Sequence, residues 1–490
     1  AGASQGNGAH HPAEPGRLLS ASGTPSTGDP FRWLDGLVDH ETSTPGIAEG
    51  RLRPGGTSVA GSDIADDELE SMRQLCGLLG DPQHAAPVIL VTGTNGKGTV
   101  ATLLTRLLMA SGLTVGTTTS PDLGSVLQRV MLDDEPLEAE VLSEALEAVQ
   151  LAAGALEAPP TRFEALIAAA YRSFADAAVE VMVVEVGMLG RSDATNVADA
   201  QVAVVTNIGR DHTPGGPGWE QQVAAAKAGI VRRESTVVLG GMDDELAAVI
   251  EAEGPERVVR VGHGLEVDGD QLAVGGHQAE LRTEWGIHPE VFVPAFGSWV
   301  APNALLAVAA AEAFFDRALD DEVIDEAFAG VRLRGRAEVL ARQPLIILDS
   351  AHNPEAVMAL ADTLSTEFDV VGSRMAVVGL LVGRDPRLIA EALVQARLDS
   401  VILTSPPSPR AADLAEVVAA FTAAGLSVES VVDPETALAR AMRHTEEEDL
   451  LVVAGSMTLL PLARDVIEAI LEVDGRGSGQ GPEPEFLEPD

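Results

Sequence analysis

The sequence VILVTGTNGKGTV, residues 88–100, joins five apolar or β-branched residues to a glycine-rich loop and then to a helix-forming segment. Glycines let backbone N–H groups turn toward an anion, and the N-terminus of the following helix adds a favourable dipole. Within this loop, Lys97 can reach terminal phosphates and Thr99 can offer its hydroxyl to Mg²⁺. Gly98 separates the two, whereas the standard phosphate loop places them side by side. The segment predicts a nucleotide-binding loop, and a glycine-rich turn without phosphate is the alternative.

Strand-like runs recur on both sides of this loop, and helix-forming stretches rich in Ala and Leu follow several of them. Each run is short, apolar and β-branched, which is typical of a buried parallel strand. The pattern predicts an α/β protein: a phosphate-loop ATPase domain with a mostly parallel sheet and a small β insertion, followed by a smaller Rossmann-like domain. The runs are Val88–Thr92, Val181–Val186, Val202–Asn207, Leu345–Asp349, Met375–Leu380, Val401–Thr404 and Leu450–Ala454.

Composition divides the chain into two tails and two domains. Residues 1–29 are rich in Gly, Ser, Ala, Pro and His, and residues 474–490 are acidic and glycine-rich, so both are predicted to be disordered tails. Residues 30–326 are assigned to the ATP-binding domain, with small antiparallel hairpins over residues 235–290. Residues 327–473 are assigned to the second domain.

The charge of the chain excludes one large class of function. The 490 residues include 32 Lys and Arg against 75 Asp and Glu, so the formal net charge is −43. Such a surface repels the phosphate backbone, which excludes a general nucleic-acid binder. Only Lys97 and Lys227 are lysines, and every other residue in the basic count is an arginine. Because a lysine amine can lose its proton and arginine stays charged, these two lysines are candidates for chemistry that arginine cannot do.

Cys76 is the single cysteine of the chain. It cannot form an internal disulfide or a cysteine-based zinc cluster, and we expect it to be a small core residue in a reducing compartment. No apolar run reaches the roughly 20 residues that span a bilayer, and the N-terminal segment lacks the apolar stretch of a signal peptide. A cytoplasmic protein without membrane contact is expected.

The loop GTNGKGT resembles the phosphate loop of the folylpolyglutamate synthase and dihydrofolate synthase family, within the Mur ligase superfamily of ATP-dependent amide-forming enzymes. The resemblance continues in order from about residue 31 to about residue 471, and this ordered series is far more specific than any single motif. The further motifs are TSPDL (119–123), EVGMLGRSDATNV (185–197), TNIGRDHT (206–213), KAGIV (227–231), PNALLA (302–307), RGRAEVL (334–340), LDSAHNPEA (348–356) and SPR (408–410).

Metal ligands are predicted after two of the strands. Glu185 ends the run VMVVE and His212 follows the next run, and the carboxyl ends of strands line the ligand crevice of an open α/β sheet. A carboxylate, an imidazole and a hydroxyl suit Mg²⁺ or Mn²⁺, although a hydrogen-bonded loop histidine is the alternative for His212. The resemblance implies two Mg²⁺ sites, one of them held by Ser120, Glu185 and His212. The loop residues that it assigns to ATP are Thr94, Asn95, Gly96, Lys97, Gly98 and Thr99, the last also as a metal ligand.

Lys227 lies in the helical run WEQQVAAAKAGIV. A solvated helix lysine is the plain interpretation, but arginine substitutes freely in that role, and elsewhere in this chain it does. In the family, the lysine at this place is carbamylated by CO₂ and supports the metal site, so the resemblance implies a carbamate here. Arginine cannot replace it, because carbamylation needs a neutral amine. Lys97, Lys227 and His212 are thus the implied catalytic residues.

The end of the first domain and the second domain contribute a separate set by resemblance. Asn303, Arg336 and Asp349 match positions that grip the base, phosphates and ribose of ATP across the domain gap. A helix cap is the alternative for Asn303, and a surface arginine for Arg336. An arginine delivered by a second domain completes a charge clamp only when the domains close. The positions implied for substrate are Asp193, His352, Ser408 and Arg410, the last three as candidates for the carboxylates of the incoming glutamate.

The chain departs from the family pattern at positions that bear on folate contacts and nucleotide packing. Members commonly have His at Asp122, Gly at Leu189, a His-Gln pair at Ser298-Trp299 and Asp-Lys-Asp at Gly383-Arg384-Asp385.

These observations predict an ATP- and Mg²⁺-dependent ligase that adds L-glutamate to a folate-type carboxylate through an acyl phosphate. It would be a dihydrofolate synthase, a folylpolyglutamate synthase or both. Its partners are then small molecules, namely ATP, L-glutamate and a pterin or folate carboxylate, and a monomer is expected. The alternatives are a Mur-type ligase with a different acyl acceptor, a phosphate-loop phosphotransferase, and a nucleotide-binding protein without turnover. A phosphotransferase would not need Asn303, Arg336 and Asp349.

Overall fold

The computed structural model describes residues 29–39, 69–122, 124–210 and 216–473. Apart from Asp29, the two predicted tails lie outside these residues, and so does His212. The strands of the larger sheet are β1 Val88–Thr92, β2 Val115–Thr118, β3 Val130–Leu132, β4 Glu135–Pro136, β5 Val181–Glu185, β6 Ala200–Val205, β7 Thr236–Leu239, β8 Arg257–Val261, β9 Gly264–Ala273, β10 Gly276–Arg282 and β11 Ile287–Val293.

Strand β1 lies in the interior of this sheet and leads into the glycine-rich loop. All five of its residues are buried. Val88 and Leu90 pack on one face and Ile89 and Val91 on the other, as the two-residue period of a strand requires. Because both faces are covered by helices, the strand is continuously apolar, and this is the signal that identifies it in the sequence.

The order of the larger sheet is β11-β10-β9-β8-β7-β6-β1-β5-β2-β3-β4. The strands from β2 through β5, β1, β6, β7 and β8 to the start of β9 are parallel, and the pairs β2–β3, β3–β4, β9–β10 and β10–β11 are antiparallel. Since β5, β1 and β6 are parallel neighbours, the residues that follow them meet at one edge of the sheet. The helices of this part are α1 Pro30–Asp35, α2 Glu70–Leu78, α3 Lys97–Ala110, α4 Ala139–Ala153, α5 Arg162–Asp176, α6 Trp219–Ala228, α7 Asp244–Glu251, α8 Val300–Phe315 and α9 Asp321–Ala329.

The smaller sheet has the order β12-β13-β17-β14-β15-β16 and is parallel except for β12. Helices cover both of its faces, so it also has two core layers. Its elements are β12 Glu338–Arg342, β13 Leu345–Leu348, α10 Pro354–Thr366, β14 Arg374–Gly379, α11 Pro386–Leu393, β15 Ser400–Thr404, α12 Leu414–Ala423, β16 Val428–Ser430, α13 Pro434–His444, β17 Leu450–Ala454 and α14 Leu460–Val473.

The predicted α/β class with two sheets is confirmed. The hairpins expected over residues 235–290 extend the larger sheet at one edge, because β9 continues the parallel series before β10 and β11 turn back. Cys76 is fully buried in the core, and burial raises the pKa of its thiol to about 12. Among the residues that the structure describes, no helix is both long enough and apolar enough to cross a bilayer.

Candidate active site

The loop between β1 and α3 depends on two glycines with positive φ. Gly93 has φ of +149° and Gly96 has φ of +84°, conformations that residues with a side chain rarely adopt. A Cβ at Gly93 would collide with Thr206 Oγ1, and one at Gly96 would lie 2.5 Å from Asn303 Oδ1. The loop therefore lies closely between the end of β6 and helix α8. Helix α3 begins at Lys97, which places a helix N-terminus at the loop.

The residues that follow β6 hold the loop in shape. Asn207 Oδ1 accepts hydrogen bonds from the N–H groups of Thr94 and Asn95 at 3.1 and 3.0 Å. The carbonyl of Asn95 accepts from Thr206 Oγ1 at 2.6 Å and from Asn207 Nδ2 at 3.1 Å. Sequence reasoning gave Asn207 no role. The available signal was a polar side chain directly after a buried strand that neighbours β1.

Lys97 is half-buried and lies over its own loop. Its Nζ donates to the carbonyl oxygens of Gly93 and Thr94, each at 3.2 Å. Both acceptors are neutral, so an anionic phosphate oxygen is a stronger acceptor for the same ammonium group. Thr99, in the first turn of α3, is 3% exposed. Lysine and threonine therefore both belong to the loop-to-helix turn, as the sequence predicts.

Glu185 is the last residue of β5 and is only 3% exposed. Its Oε2 accepts a hydrogen bond from the Ser120 N–H at 3.0 Å, and a Cβ at Gly98 would lie 3.3 Å from the same oxygen. Burial raises the pKa of Glu185, and the charge of Lys97, the Ser120 N–H and the charge of Arg336 partly oppose that rise. The carboxylate of Glu185 therefore lies beside the phosphate loop, close to the positive charges of Lys97 and Arg336.

The predicted metal ligands are only partly covered by the structure. Within the described ranges, no three His, Cys, Asp or Glu side chains are grouped so that they could hold a metal ion. Glu185 and Ser120 are in contact beside the loop that carries Thr99, and His212 lies outside the described residues. Carboxylate and hydroxyl oxygens suit Mg²⁺, and glycine at position 98 leaves the approach to Glu185 open. These residues fit a divalent cation, and their role as ligands stays a prediction.

Lys227 lies in the last turn of α6 and is 3% exposed, which excludes the solvated helix lysine. A Cβ at Gly190 would lie 3.1 Å from the carbonyl oxygen of Lys227, so this turn borders the loop that follows Glu185. Burying an ammonium group is costly unless it is paired or neutral. The position is compatible with the predicted carbamate, which itself stays a prediction.

Asn303 and Arg336 both face the phosphate loop. Asn303 is 8% exposed and covers Gly96 with its carboxamide. The helix-cap interpretation of Asn303 is wrong, because Trp299 occupies the N-cap of α8. Arg336 is half-buried, and a Cβ at Gly98 would lie 3.7 Å from its Nη2, so the surface-arginine interpretation is wrong as well. The guanidinium reaches the loop from the second domain.

Asp349 and His352 follow β13 in the second domain. Asp349 is 8% exposed, and its two carboxylate oxygens accept from the N–H groups of Ala337 at 2.6 Å and Ala351 at 2.7 Å. Burial raises the pKa of Asp349, and these two hydrogen bonds oppose the rise. His352 Nδ1 lies 2.7 Å from the carbonyl oxygen of Ser350. The carboxylate of Asp349 thus holds the residues after β13 in place through backbone N–H groups. The predicted contacts of Asp349 and His352 with ATP or glutamate stay predictions.

Comparison with known proteins identifies the family. Residues 91–311 match the Mur ligase middle domain, and residues 335–457 match the Mur ligase glutamate ligase domain. The dihydrofolate synthase/folylpolyglutamate synthase of Mycobacterium tuberculosis is 37% identical over 71% of this chain and 76% of its own length. The chain belongs to the folylpolyglutamate synthase and dihydrofolate synthase family of Mur ligases.

Solved structures of this family show the same fold. The M. tuberculosis folylpolyglutamate synthase complexed with ADP superposes with a TM-score of 0.78 at 32% identity, over 82% of this chain and 96% of that one. A bifunctional folylpolyglutamate synthase/dihydrofolate synthase with Mn, AMPPNP and L-glutamate bound gives a TM-score of 0.75 at 27% identity, over 91% and 98%. The chain is therefore a ligase of this family, and the alternatives of a phosphotransferase and of a protein without turnover are set aside.

One departure from the pattern of this ligase family has a local physical consequence. Leu189 adopts φ of +60°, and its carbonyl accepts a hydrogen bond from Thr92 Oγ1 at 2.5 Å. Glycine, which the family commonly has here, adopts this conformation without strain, whereas leucine is strained in it. Directly after the departures at Gly383 and Arg384, Asp385 keeps the family residue and caps α11 by accepting from the Arg387 N–H at 3.0 Å.

The remaining predicted substrate residues of the ligase have local partners. Asp193 is 7% exposed and accepts from the Met188 N–H at 2.8 Å and from Thr195 Oγ1 at 2.6 Å. Burial raises the pKa of Asp193 above its ordinary value, and these hydrogen bonds only partly oppose the rise. Ser408 Oγ accepts from the Arg410 N–H at 3.2 Å in the turn that follows β15. Asp193 thus organises the loop after β5, and contact of any of the three with substrate stays a prediction.

Proposed function

We propose that this ligase joins the amine of L-glutamate to a folate-type carboxylate and consumes ATP. The observation that carries the proposal is the surroundings of Gly98, where Lys97 precedes it, Glu185 lies against it and Arg336 arrives from the second domain. Positive groups from two domains around one phosphate loop suit the transfer of a phosphoryl group to an acid. The relative with Mn, AMPPNP and L-glutamate bound supports this set of small molecules.

The proposed reaction has two steps. The acceptor carboxylate attacks the γ-phosphorus of ATP, the bond to the bridging oxygen breaks, and ADP and an acyl phosphate form. The neutral amine of L-glutamate then attacks the acyl carbon, phosphate leaves, and the nitrogen loses a proton to give the amide. Lys97 and Arg336 stabilise negative charge on the transferring group, which is the largest contribution expected in such chemistry. A divalent cation held by Glu185 and Ser120 supplies further positive charge when it is bound.

The acyl acceptor is tested by ADP release from the purified protein with Mg·ATP and L-glutamate. Dihydropteroate and tetrahydrofolate are added in turn, and we expect stimulation by one or both. Lys97→Ala is the control for ADP from a contaminating ATPase. If neither folate compound stimulates release, the folate assignment fails, and a Mur-type ligase with another acceptor takes its place. The departures at Asp122 and Leu189 are the features that favour that second candidate.

We also propose that Lys227 is carbamylated: Nζ forms a bond with the carbon of CO₂, and one proton leaves the nitrogen. The burial of the residue supports the attack on CO₂, since burial favours the neutral amine over the ammonium group and only the neutral amine can attack. Lys227→Ala should lose activity that acetate or formate partly restores, and Lys227→Arg should stay inactive. Lys97→Ala is the matched control, because the same carboxylates should not restore it. Equal activity of Lys227→Arg and the wild type contradicts the carbamate.

We propose a cytoplasmic monomer, to be checked by light scattering for its mass. The net charge of −43 opposes the approach of anionic substrates, and salt screens such fields within about 10 Å at roughly 0.1 M. The KM for ATP should therefore stay level or fall as salt rises. A rise of KM with salt would indicate a cationic steering surface that this composition does not provide.

A further inference from the structure

Helix α10 of the second domain touches the first domain at both of its ends. It has 13 residues and is therefore about 20 Å long. Asn353 precedes it and contacts the phosphate loop, while Glu367 follows it and contacts the segment before α8. One rigid element thus connects the loop that carries Lys97 to the segment between β11 and α8 of the first domain.

At the N-terminal end, two carboxamides form a reciprocal pair. Asn353 Nδ2 donates to Asn95 Oδ1 at 2.9 Å, and Asn95 Nδ2 donates to Asn353 Oδ1 at 3.3 Å. Asn353 is 1% exposed, and its Oδ1 also accepts from the Ala356 N–H at 2.9 Å as the N-cap of α10. Because the cap requires the oxygen to face the helix, the amide nitrogen is left to face the phosphate loop.

Asn95 is held from two sides. Its backbone is bound by its own domain, through Asn207 at 3.0 Å and Thr206 at 2.6 Å. Its side chain is bound by the second domain through Asn353. Since Gly96 and Lys97 follow directly, any change in the torsions of Asn95 moves the part of the loop that meets the phosphates. Near this pair, Glu355 Oε1 also accepts from the Arg210 N–H at 3.2 Å.

At the C-terminal end, Glu367 fixes the other end of the helix. Its Oε2 accepts from the Gly297 N–H at 2.8 Å, and its Oε1 lies 3.1 Å from His277 Nε2 on β10. The His277 and Glu367 side chains are only 8% and 7% exposed. The rings of Phe296 and Phe368 pack beside them with centroids 4.9 Å apart. With both ends anchored, the position of Asn353 relative to the phosphate loop is set by how the domains lie together.

We propose that Asn353 is a positioning residue for the nucleotide: its carboxamide holds Asn95, and through it the phosphate loop, in the phosphate-binding shape only while the second domain is in place. This inference rests on the proposed function, because it concerns the binding of ATP or ADP to this loop. Nucleotide then binds the closed arrangement more tightly, and it shifts the domains toward closure by that difference in affinity. Asn353 thereby couples domain placement to the active loop without touching a reacting atom.

A purely structural role, as the cap of α10, makes a different prediction. Asn353→Ser keeps a good N-cap but has too short a side chain to reach Asn95. Asn95→Ala breaks the same pair and leaves the cap intact, so it serves if Asn353→Ser does not fold. Asp433→Ser is the matched control, since Asp433 caps α13 by accepting from the Thr436 N–H at 2.8 Å, and neither residue has a contact with the first domain among those described.

The experiment is calorimetric titration of each protein with Mg·ADP, together with kcat and KM for ATP. Asn353→Ser and Asn95→Ala should each weaken ADP binding about fivefold, as the loss of a hydrogen-bonded pair predicts. The double variant should be hardly weaker than either single one, because both remove the same contact. In Asn353→Ser the KM for ATP should rise with kcat at saturation nearly unchanged, and Asp433→Ser should bind ADP like the wild type.

Three outcomes overturn the inference while leaving the function intact: wild-type affinity in Asn353→Ser, multiplication of the two single effects in the double variant, or the same loss in Asp433→Ser. A wild-type protein that binds no Mg·ADP contradicts the proposed function itself. The first outcome overturns the inference even when kcat falls, because positioning of the nucleotide acts through binding.

Discussion

The two sheets present the ends of their parallel strands to the same gap, but they use their polar residues differently. At the edge of the larger sheet, Lys97 and Glu185 lie against the phosphate loop, and their charges act on each other. At the edge of the smaller sheet, the side chains of Asp349 and Asn353 accept hydrogen bonds from backbone N–H groups of their own domain. The charged groups of the first edge are placed to bind a charged ligand. The polar groups of the second edge mainly fix the backbone conformation after β13, and a few side chains point from there to the first domain.

This difference predicts where mutations act. Substitutions on the first edge should change activity far more than stability, because their partners are groups that a ligand replaces. Substitutions on the second edge should change stability as well, because they leave buried backbone groups without a partner.

The largest effect is expected for Lys97→Ala. Loss of a positive group at the transferring phosphoryl should lower kcat by about 10²- to 10³-fold. The free energy of unfolding should change little, since the lost partners are two carbonyls of the same loop. ADP-release kinetics and urea unfolding measure the two quantities. Arg387→Ala, whose side chain is 77% exposed, is the control that should keep full activity. If Lys97→Ala retains a third of the wild-type kcat, the assignment of catalytic residues to the edge of the larger sheet is contradicted.

Asp349→Ala should lower the free energy of unfolding by about 2–4 kcal/mol, because the buried N–H groups of Ala337 and Ala351 both lose their acceptor. Urea unfolding with circular dichroism measures the change. Asp413→Ala, which removes an exposed N-cap of α12, should cost only about 1 kcal/mol. Equal losses in the two variants would mean that the carboxylate of Asp349 is not holding its strand end.

The contact between the domains at His277 should depend on pH. Burial alone would lower the pKa of His277, but hydrogen bonding and charge from Asp270 and Glu367 raise it above its ordinary value. A raised pKa in the folded state means that the stabilisation is complete below the unfolded value, about pH 6.5, and is lost as the pH rises through the folded value. From about pH 6 to about pH 9, the wild type should lose roughly 1–2 kcal/mol more unfolding free energy than His277→Gln. Identical pH slopes contradict the charged pair.

The smallest effect is expected at Leu189. Leu189→Gly should raise the free energy of unfolding by about 0.5–1 kcal/mol, because glycine adopts φ of +60° without strain. Leu151→Gly is a control of opposite sign, since Leu151 is 82% exposed in helix α4 and glycine there should cost about 1 kcal/mol. The midpoints of urea unfolding of the two variants and the wild type measure both changes. Destabilisation by both would show that packing of the Leu189 side chain outweighs its backbone strain.

The sequence predicted the first edge better than the second. Strand β1, the phosphate loop and α3 follow one another in the chain, so a short stretch of sequence is enough to predict all three. Glu185 was predicted because it ends an apolar run. The sequence did not predict the hydrogen bonds of Asn207 to the phosphate loop or the contact of Asn353 with Asn95. In both cases the two partners are far apart in the chain, and no spacing of residues in the sequence links them.

The sequence by itself determined the nucleotide loop, the α/β class and the two lysines that stand out from an arginine-rich background. These depend on local rules: apolar runs for strands buried on both faces, and glycines where backbone must approach a ligand. The resemblance implies that Arg336 meets the phosphates of ATP, but only the tertiary structure decided that Asn353 of the second domain reaches the same loop. Such contacts depend on strand order and domain placement, which many packing interactions fix together and no short stretch of sequence encodes.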